Sequence, residues 1–424
     1  MTYIEREKHI TVNENYDVIV VGSGPSGMAT SITAARNGAK VLLIEWQGSV
    51  GGISTTGLMS HFTGTCDSKI YREILKRAAE KNPYKTGEFT ITIDPELLKN
   101  TYYEMLKEAN VDLLLYTFCC GVIVEKNTLK GIITESKSGR SAYCAKAIID
   151  CTGDGDVAEK AGAEYFKGRE TDGKMQPATI MFKVGGVDYS RAVFPGSFES
   201  LVPTEKGELQ ALARENLVAP SGHVLLYKST LPGIVTCNMT NCTDIDGTSA
   251  EDLTKAELTC RSQMEPIVKF LRKYAPGYEN CHIISAASLI GIRETRHFKG
   301  IKQLSEQDII DAKQFDDAVV KGAYFNFDVH NITGSGLDKT GVQHKFTQTK
   351  GYTIPYGCLV PQKLDGLLLS GRNISGTHMA HSNFRAMPIC VGIGEACGAA
   401  AALAVKNNKL LRDIDPKDIQ NLIF

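Results

Sequence analysis

The run Asp17-Val18-Ile19-Val20-Val21-Gly22-Ser23-Gly24-Pro25-Ser26-Gly27 sets the architecture of everything around it. Its β-branched residues after a polar lead read as a buried parallel strand. The alanine-rich segment Met28 to Asn37 reads as a helix, ended by Gly38 as a left-handed C-terminal residue. Lys40 to Ile44 is a second apolar strand, closed by Glu45. Together these form a βαβ unit of about 30 residues with Gly-x-Gly-x-x-Gly at its first turn. Each glycine has its own reason. Gly22 permits a tight turn, Gly24 lets the backbone approach a pyrophosphate, and Gly27 lets helix and strand pack closely. Pro25 and Ser26 open the helix, whose free N–H groups and positive end suit phosphate. Glu45, 18 positions beyond Gly27, accepts hydrogen bonds from ribose hydroxyls and repels a 2′-phosphate. Trp46, next in sequence, is also a candidate cofactor contact.

Outward from this unit, Gly48 to Gly64 is a glycine- and threonine-rich loop suited to close approach. Helical spacing covers 69–81 and 94–110. Val111–Tyr116, Gly121–Glu125, Leu129–Glu135 and Ser141–Ile149 read as a strand followed by a meander, with Lys126-Asn127-Thr128 and Lys137-Ser138-Gly139-Arg140 as turns. Ile149-Asp150 runs into Cys151-Thr152-Gly153-Asp154-Gly155-Asp156, a second strand-to-loop junction. Between 165 and 350 the pattern is mixed: sheet at 178–187, 222–239 and 282–291, and one good helix at 250–275. A strand at Gly366–Ser370, a loop from Gly371 and a small-residue helix from Cys390 to Lys406 close the chain. The expected class is α/β: a Rossmann-like dinucleotide-binding domain with a β-meander, formed by 1–165 and 351–424, plus an inserted α+β substrate domain at 166–350.

Composition narrows the alternatives. Lys plus Arg total 47 and Asp plus Glu 48, so the net charge is −1. Nucleic acid and anionic membranes call for a large positive field, and neither is expected as a partner. No signal-peptide pattern opens the chain and no stretch approaches the roughly 18 apolar residues of a spanning helix, so a cytoplasmic protein without membrane insertion is expected. The 12 cysteines include no Cys-x-x-Cys, which disfavours zinc ribbons, iron–sulfur loops and dithiol redox motifs. Free, mostly buried thiols are expected.

Four segments carry a family resemblance: Asp17–Gly27 with Glu45; Gly51-Gly52-Ile53-Ser54-Thr55-Thr56-Gly57; Asp150–Asp156; and Gly371-Arg372-Asn373-Ile374-Ser375 leading to Arg385-Ala386-Met387-Pro388. Gln176–Met181 and Gly291–Arg296 add to it. The chain resembles the FAD-dependent oxidoreductase family of the glutathione-reductase-like flavoproteins. The resemblance implies FAD rather than NAD. An extended FAD also needs contacts from distant segments, which a lone NAD domain does not. The resemblance puts Gly52 and Thr55 along the flavin, Thr152-Gly153 beside the adenosine and pyrophosphate, and the meander edge near Cys120 against adenine. Gly371-Arg372 approaches the pyrophosphate or ribityl chain. Relatives often have Gly-Asp there, and an arginine beside a diphosphate is electrostatically sensible. Met387 and Pro388 open a thin helix whose positive end faces the flavin ring.

Substrate-side candidates are less specific. His61 follows the glycine–threonine loop and is a candidate base; it also reads as an ordinary loop histidine. His378 and His381 precede the flavin-facing helix, and one of them is a candidate to act at the flavin face. Their spacing permits a metal pair, but no third ligand is apparent, and no metal is expected. Arg385 reads as a site for an anionic or polar group. Arg293 reads as a substrate anchor or, with Glu294 and Arg296, as part of a buried ion pair. The expected activity is hydride removal from a small, polar, hydroxylated substrate to flavin N5. The alternatives are reduction of an activated double bond, a non-catalytic flavoprotein, or an NAD-binding biosynthetic protein of the same fold. With a single nucleotide fingerprint, no built-in NAD(P)H domain is expected, and the electron acceptor is external. Whether the chain self-associates into a homo-oligomer is open.

Overall fold

The computed structural model describes residues 7–59, 61–83, 91–339 and 346–424. Five strands form a parallel sheet: β1 (Val18–Val21), β2 (Val41–Ile44), β3 (Asp112–Leu114), β7 (Ala147–Asp150) and β12 (Leu367–Leu369), ordered β12-β7-β1-β2-β3. All residues of β1, β2, β7 and β12 are buried, as befits strands covered on both faces. Helix α1 (Pro25–Arg36) returns from β1 to β2, and α2 (Lys69–Lys81) and α3 (Pro95–Glu108) flank the sheet.

Strands β4 (Phe118–Glu125), β5 (Thr128–Ser136) and β6 (Gly139–Cys144) form the antiparallel meander, with Val12–Asn13 added in parallel beside β6. The single strand expected over Ser141–Ile149 is in fact two. β6 pairs within the meander, whereas β7 pairs with β1 and β12, so the chain changes sheets between Cys144 and Ala147. An apolar, alternating sequence does not mark such a crossing, because both halves are equally strand-like.

The middle of the chain builds a second sheet, ordered β9-β10-β8-β11, from β8 (Phe182–Gly185), β9 (Leu226–Lys228), β10 (Val235–Cys237) and β11 (His282–Ala286), all antiparallel. The long helix α4 (Ala250–Tyr274) buries Cys260, Met264, Ile267 and Leu271 in the core of this unit. This core spans Ala178 to Ala287. Phe298, Leu304, Ile309, Val319, Val320, Ala323 and Phe327 are buried in the first core, with the parallel sheet.

The short helix α5 (His378–Phe384) leads into α6 (Met387–Asn407), which lies against α1. Added Cβ atoms on Gly394 and Gly398 would fall 2.2 and 2.4 Å from the Ser26 and Thr30 carbonyl oxygens. Small residues are what let the two backbones approach. By length and composition α6 is the one helix, among the described residues, apolar enough to cross a membrane, which corrects the sequence expectation. It serves as a core helix: 89% of its most apolar window is buried within the protein.

Candidate active site and cofactor cradle

A continuous cavity of about 1390 Å³ runs from the C-terminal ends of β1, β2 and β7 to the underside of the second sheet. That is where ligands sit in open α/β sheets. At one end it is lined by Gly22, Gly24, Pro25 and Ser26, then Glu45 and Trp46, Thr152 and Gly153, and Gly371 and Arg372.

The phosphate turn has the properties its glycines imply. Gly22 has φ +96°, and a Cβ there would meet the Cys151 carbonyl oxygen at 2.5 Å. A Cβ on Gly27 would come within 1.8 Å of the Gly22 carbonyl oxygen. Gly27 therefore packs the turn and does not line the cavity. Gly24 is the opposite case: a Cβ there meets nothing within 4 Å and enters open cavity. No side chain caps the start of α1, so its first N–H groups are available to an anion. Glu45 is almost fully buried. Its Oε2 accepts from Ser23 N (2.8 Å) and Ser23 Oγ (2.6 Å), and its Oε1 from Gln47 N (2.9 Å). Each oxygen has two lone pairs, which leaves capacity for a hydroxyl donor.

Opposite this turn, Arg372 Nη2 donates to Asp154 Oδ1 at 3.1 Å while Nη1 is buried without a partner. An unpartnered, cavity-lining guanidinium nitrogen is costly unless an acceptor arrives. The turn beneath it is held by Asp150. Its Oδ1 accepts from Thr152 N (3.0 Å) and Thr152 Oγ1 (2.7 Å), and its Oδ2 from Val157 N (2.9 Å) and Ala158 N (2.8 Å). Burial pushes this carboxyl up to about 6. In the sequence Asp150 opens a segment of the family resemblance, but its role in holding this turn was not legible.

Further along, the cavity touches Gly52, Ile53, Met387 and Cys390. Several sequence candidates stand just behind its wall. Thr55 Oγ1 bonds the Val50 carbonyl at 2.5 Å and shapes the glycine loop. The Pro388 carbonyl accepts from Cys66 Sγ. At the meander edge Thr117, Phe118 and Cys119 line the cavity, whereas Cys120 Sγ lies against the Ile133 carbonyl.

The far end is polar. Arg293, Arg385, Asp328, His330, Tyr227 and Asn238 converge there. Arg385 Nη2 donates to Asp328 Oδ2 at 2.8 Å and to the Asp328 carbonyl at 2.7 Å. His330 Nε2 stands 3.4 Å from the same carboxylate oxygen. Arg293 Nη1 donates to the Pro177 carbonyl at 2.6 Å. Burial, then the neighbouring Arg385, brings Arg293 down to about 10. Burial and the Arg293 charge hold His330 down to about 4, so its imidazole is neutral at pH 7. Burial opposes ionisation of Asp328, but His330 and Arg385 outweigh it and keep the carboxyl well below its ordinary range. Asp328 and His330 fall in a stretch with no clear periodicity. The one local signal is their spacing of two, which in extended chain aims both side chains the same way.

His61, His378 and His381 do not line the cavity. His61 Nδ1 bonds Thr92 Oγ1 at 3.1 Å, and its ring stacks on Tyr227, which does. His378 Nδ1 lies 2.6 Å from Glu294 Oε1, which also receives His297 Nε2 at 2.8 Å; Glu294 Oε2 accepts from Gln176 N at 3.0 Å. Glu294, His297 and His381 bring a ligand atom each to within 4.8 Å of one another. The cluster does not include His378, so the His378–His381 pair is not assembled as a ligand pair, and N–H donors already engage both Glu294 carboxylate oxygens. Burial opposes charge on His378, but the Glu294 bond wins and raises it. The Arg293–Arg296 cluster divides: Arg296 pairs with Asp156 at 2.9 Å and joins the two halves, while Arg293 faces the cavity.

A family model for FAD dependent oxidoreductases matches residues 17–423. The chain belongs to the FAD-dependent oxidoreductase family. FAD is its cofactor, and the open space at Gly24, the uncapped helix and the partnerless Arg372 nitrogen fit a diphosphate-bearing group. Among curated relatives of this oxidoreductase is digeranylgeranylglycerophospholipid reductase 1 of Methanococcoides burtonii, 26% identical over 43% of this chain and 47% of that protein. Another is the soluble pyridine nucleotide transhydrogenase of Chromohalobacter salexigens, 27% identical over 33% of this chain and 31% of that one. The chain spans about half or less of the length of these relatives. A solved geranylgeranyl bacteriochlorophyll reductase-like protein from Thermoplasma acidophilum aligns over 98% of this chain and 83% of its own, with TM-score 0.52 and 13% identity. It shares the fold.

Proposed function

We infer that this FAD-dependent oxidoreductase oxidises a hydroxyl group on a small polar substrate held at the inner end of the cavity. The observation that carries this reading is the Asp328–His330 pair: a neutral imidazole lining the cavity, with a carboxylate at its Nε2 side. Such an imidazole accepts a proton, and the carboxylate stabilises the cation that results. FAD, when bound, supplies a two-electron hydride acceptor. His330 takes the hydroxyl proton while the substrate C–H hydride departs, leaving a carbonyl. Arg385 holds Asp328 in place, and Arg293 and Asn238 orient the substrate. His61 backs the Tyr227 ring, which forms part of the wall. Gly22–Ser26 with Arg372 hold the diphosphate, Glu45 the ribose, and Gly52 and Met387 the ring system.

Reduction of an activated double bond is the second reading, favoured by the reductase named among the relatives. It needs a proton donor, and a neutral His330 is a poor one. The external electron acceptor is a small molecule or protein that reaches the cavity from outside. All twelve thiols are free, which supports a reducing compartment such as the cytoplasm. An anaerobic screen of flavin bleaching with polyols, sugars, hydroxy acids and amines tests the reading. Bleaching by a hydroxylated class, lost in His330→Gln with flavin still bound, is the expected result. Bleaching that survives this substitution overturns the assignment of His330.

A further inference from the structure

The charges at the inner end of the cavity do not balance. Arg293 and Arg385 are both cationic, and among the described residues Asp328 is the one carboxylate paired with either of them. Asp328 is already committed to Arg385 and His330. Arg293 is 7% exposed and has no carboxylate within ion-pair distance among the described residues. Its one hydrogen bond there goes to the Pro177 carbonyl, which leaves the rest of its five N–H donors free. The Nε of Arg385 is also buried without a partner. His223 and His330, the nearby imidazoles, are held neutral by burial and by these same cations, to about 3 and about 4. In the resting site they add no charge. A buried charge left unpaired in this way is costly, and the described residues supply no counter-ion.

We propose that the Arg293 end of the cavity is an anion subsite that takes a carboxylate of the substrate, so that the oxidised molecule is a small hydroxy-carboxylate. One excess positive charge matches a monoanion. A carboxylate presents the planar pair of acceptors that a guanidinium fork recognises, and a phosphate dianion would leave a net negative charge in a buried place. The neutral His330 then stands beside the anchored acid as proton acceptor. This deepens the hydroxyl-oxidation reading and rests on it only for the word hydroxy; the anion subsite follows from the charges alone.

The test is calorimetric titration of the FAD-loaded enzyme with propionate and with propionamide, which share a shape and carry no hydroxyl to oxidise. Propionate is expected to bind about tenfold or more tighter than the amide, the value of a charged hydrogen bond. Arg293→Met is expected to abolish the preference and Arg293→Lys to restore part of it. Equal affinity for the two probes, no binding of either, or a preference that persists in Arg293→Met overturns the subsite. The wild-type comparison decides even if the methionine variant does not fold. Lactate and gluconate, added anaerobically, separate the two claims. If propionate binds but no hydroxylated compound bleaches the flavin, the oxidation reading fails and the subsite stands. If neutral alcohols bleach it while carboxylates do not bind, the reverse holds.

Discussion

Replacing Gly24 by valine separates cofactor binding from folding. Gly24 has φ −62° and ψ −178°, a conformation open to any residue, and its Cβ would meet no atom within 4 Å. Reduced unfolded-state entropy favours the variant by about 0.4–1 kcal/mol. Loss of the preferred helix-capping residue costs a similar amount, about 0.5–1 kcal/mol. Folding stability is therefore expected to change by less than about 1 kcal/mol. The added isopropyl group, however, occupies the space over the α1 amides. Losing two charge-assisted hydrogen bonds there costs about 3–6 kcal/mol, or about two to four decades in Kd for FAD. Gly27→Ala is the control. Its methyl group would sit 1.8 Å from the Gly22 carbonyl oxygen, so backbone must shift and stability falls by about 3 kcal/mol. The assay pairs flavin released per polypeptide with urea unfolding of the flavin-free protein. Gly24→Val should purify nearly colourless with an unchanged midpoint, and Gly27→Ala with a lowered one. A Gly24→Val protein that retains full flavin would refute the placement of the diphosphate.

Other consequences are open to direct measurement. Asp150→Ala removes the acceptor for four donors and is expected to lower stability by about 2–4 kcal/mol in urea melts; an unchanged midpoint would mean the Thr152 turn holds without it. His330 ordinarily titrates near 6.5 but is held to about 4 in the fold, so the acid limb of flavin reduction should lie near pH 4. Removing the Arg293 cation should move that limb upward, as a pH series on Arg293→Met would reveal. By linkage the unfolded chain protonates His330 before the folded one does, so its contribution to stability is complete above pH 6.5 and declines as pH falls towards 4. His378 runs the other way: raised by Glu294, it stabilises fully below pH 6.5, and this is lost as pH rises through its folded value. The melting penalty of Glu294→Gln should accordingly shrink between pH 6 and pH 9. His61→Ala should leave flavin bound, and an unaltered reduction rate would remove His61 from the site.

The cofactor half of the protein was legible from the chain alone because its constraints are local. A strand, a tight glycine turn and a helix start are contiguous between Asp17 and Gly27, and each glycine answers to backbone geometry within a few residues. The same locality explains the helices at Lys69–Lys81 and Ala250–Tyr274, where apolar periodicity is sustained. Which neighbours of a motif face the cavity was not legible. Thr55, Cys120 and Pro388 lie one residue or one turn away from wall positions, and side-chain direction there depends on how loops and sheets meet. The substrate end is wholly a product of tertiary structure. Arg293, Asp328, His330 and Arg385 come from three separate segments, and only the docking of the second sheet over the parallel one makes them neighbours. Their charges and proton affinities arise from burial and mutual distance, which no one-dimensional spacing encodes.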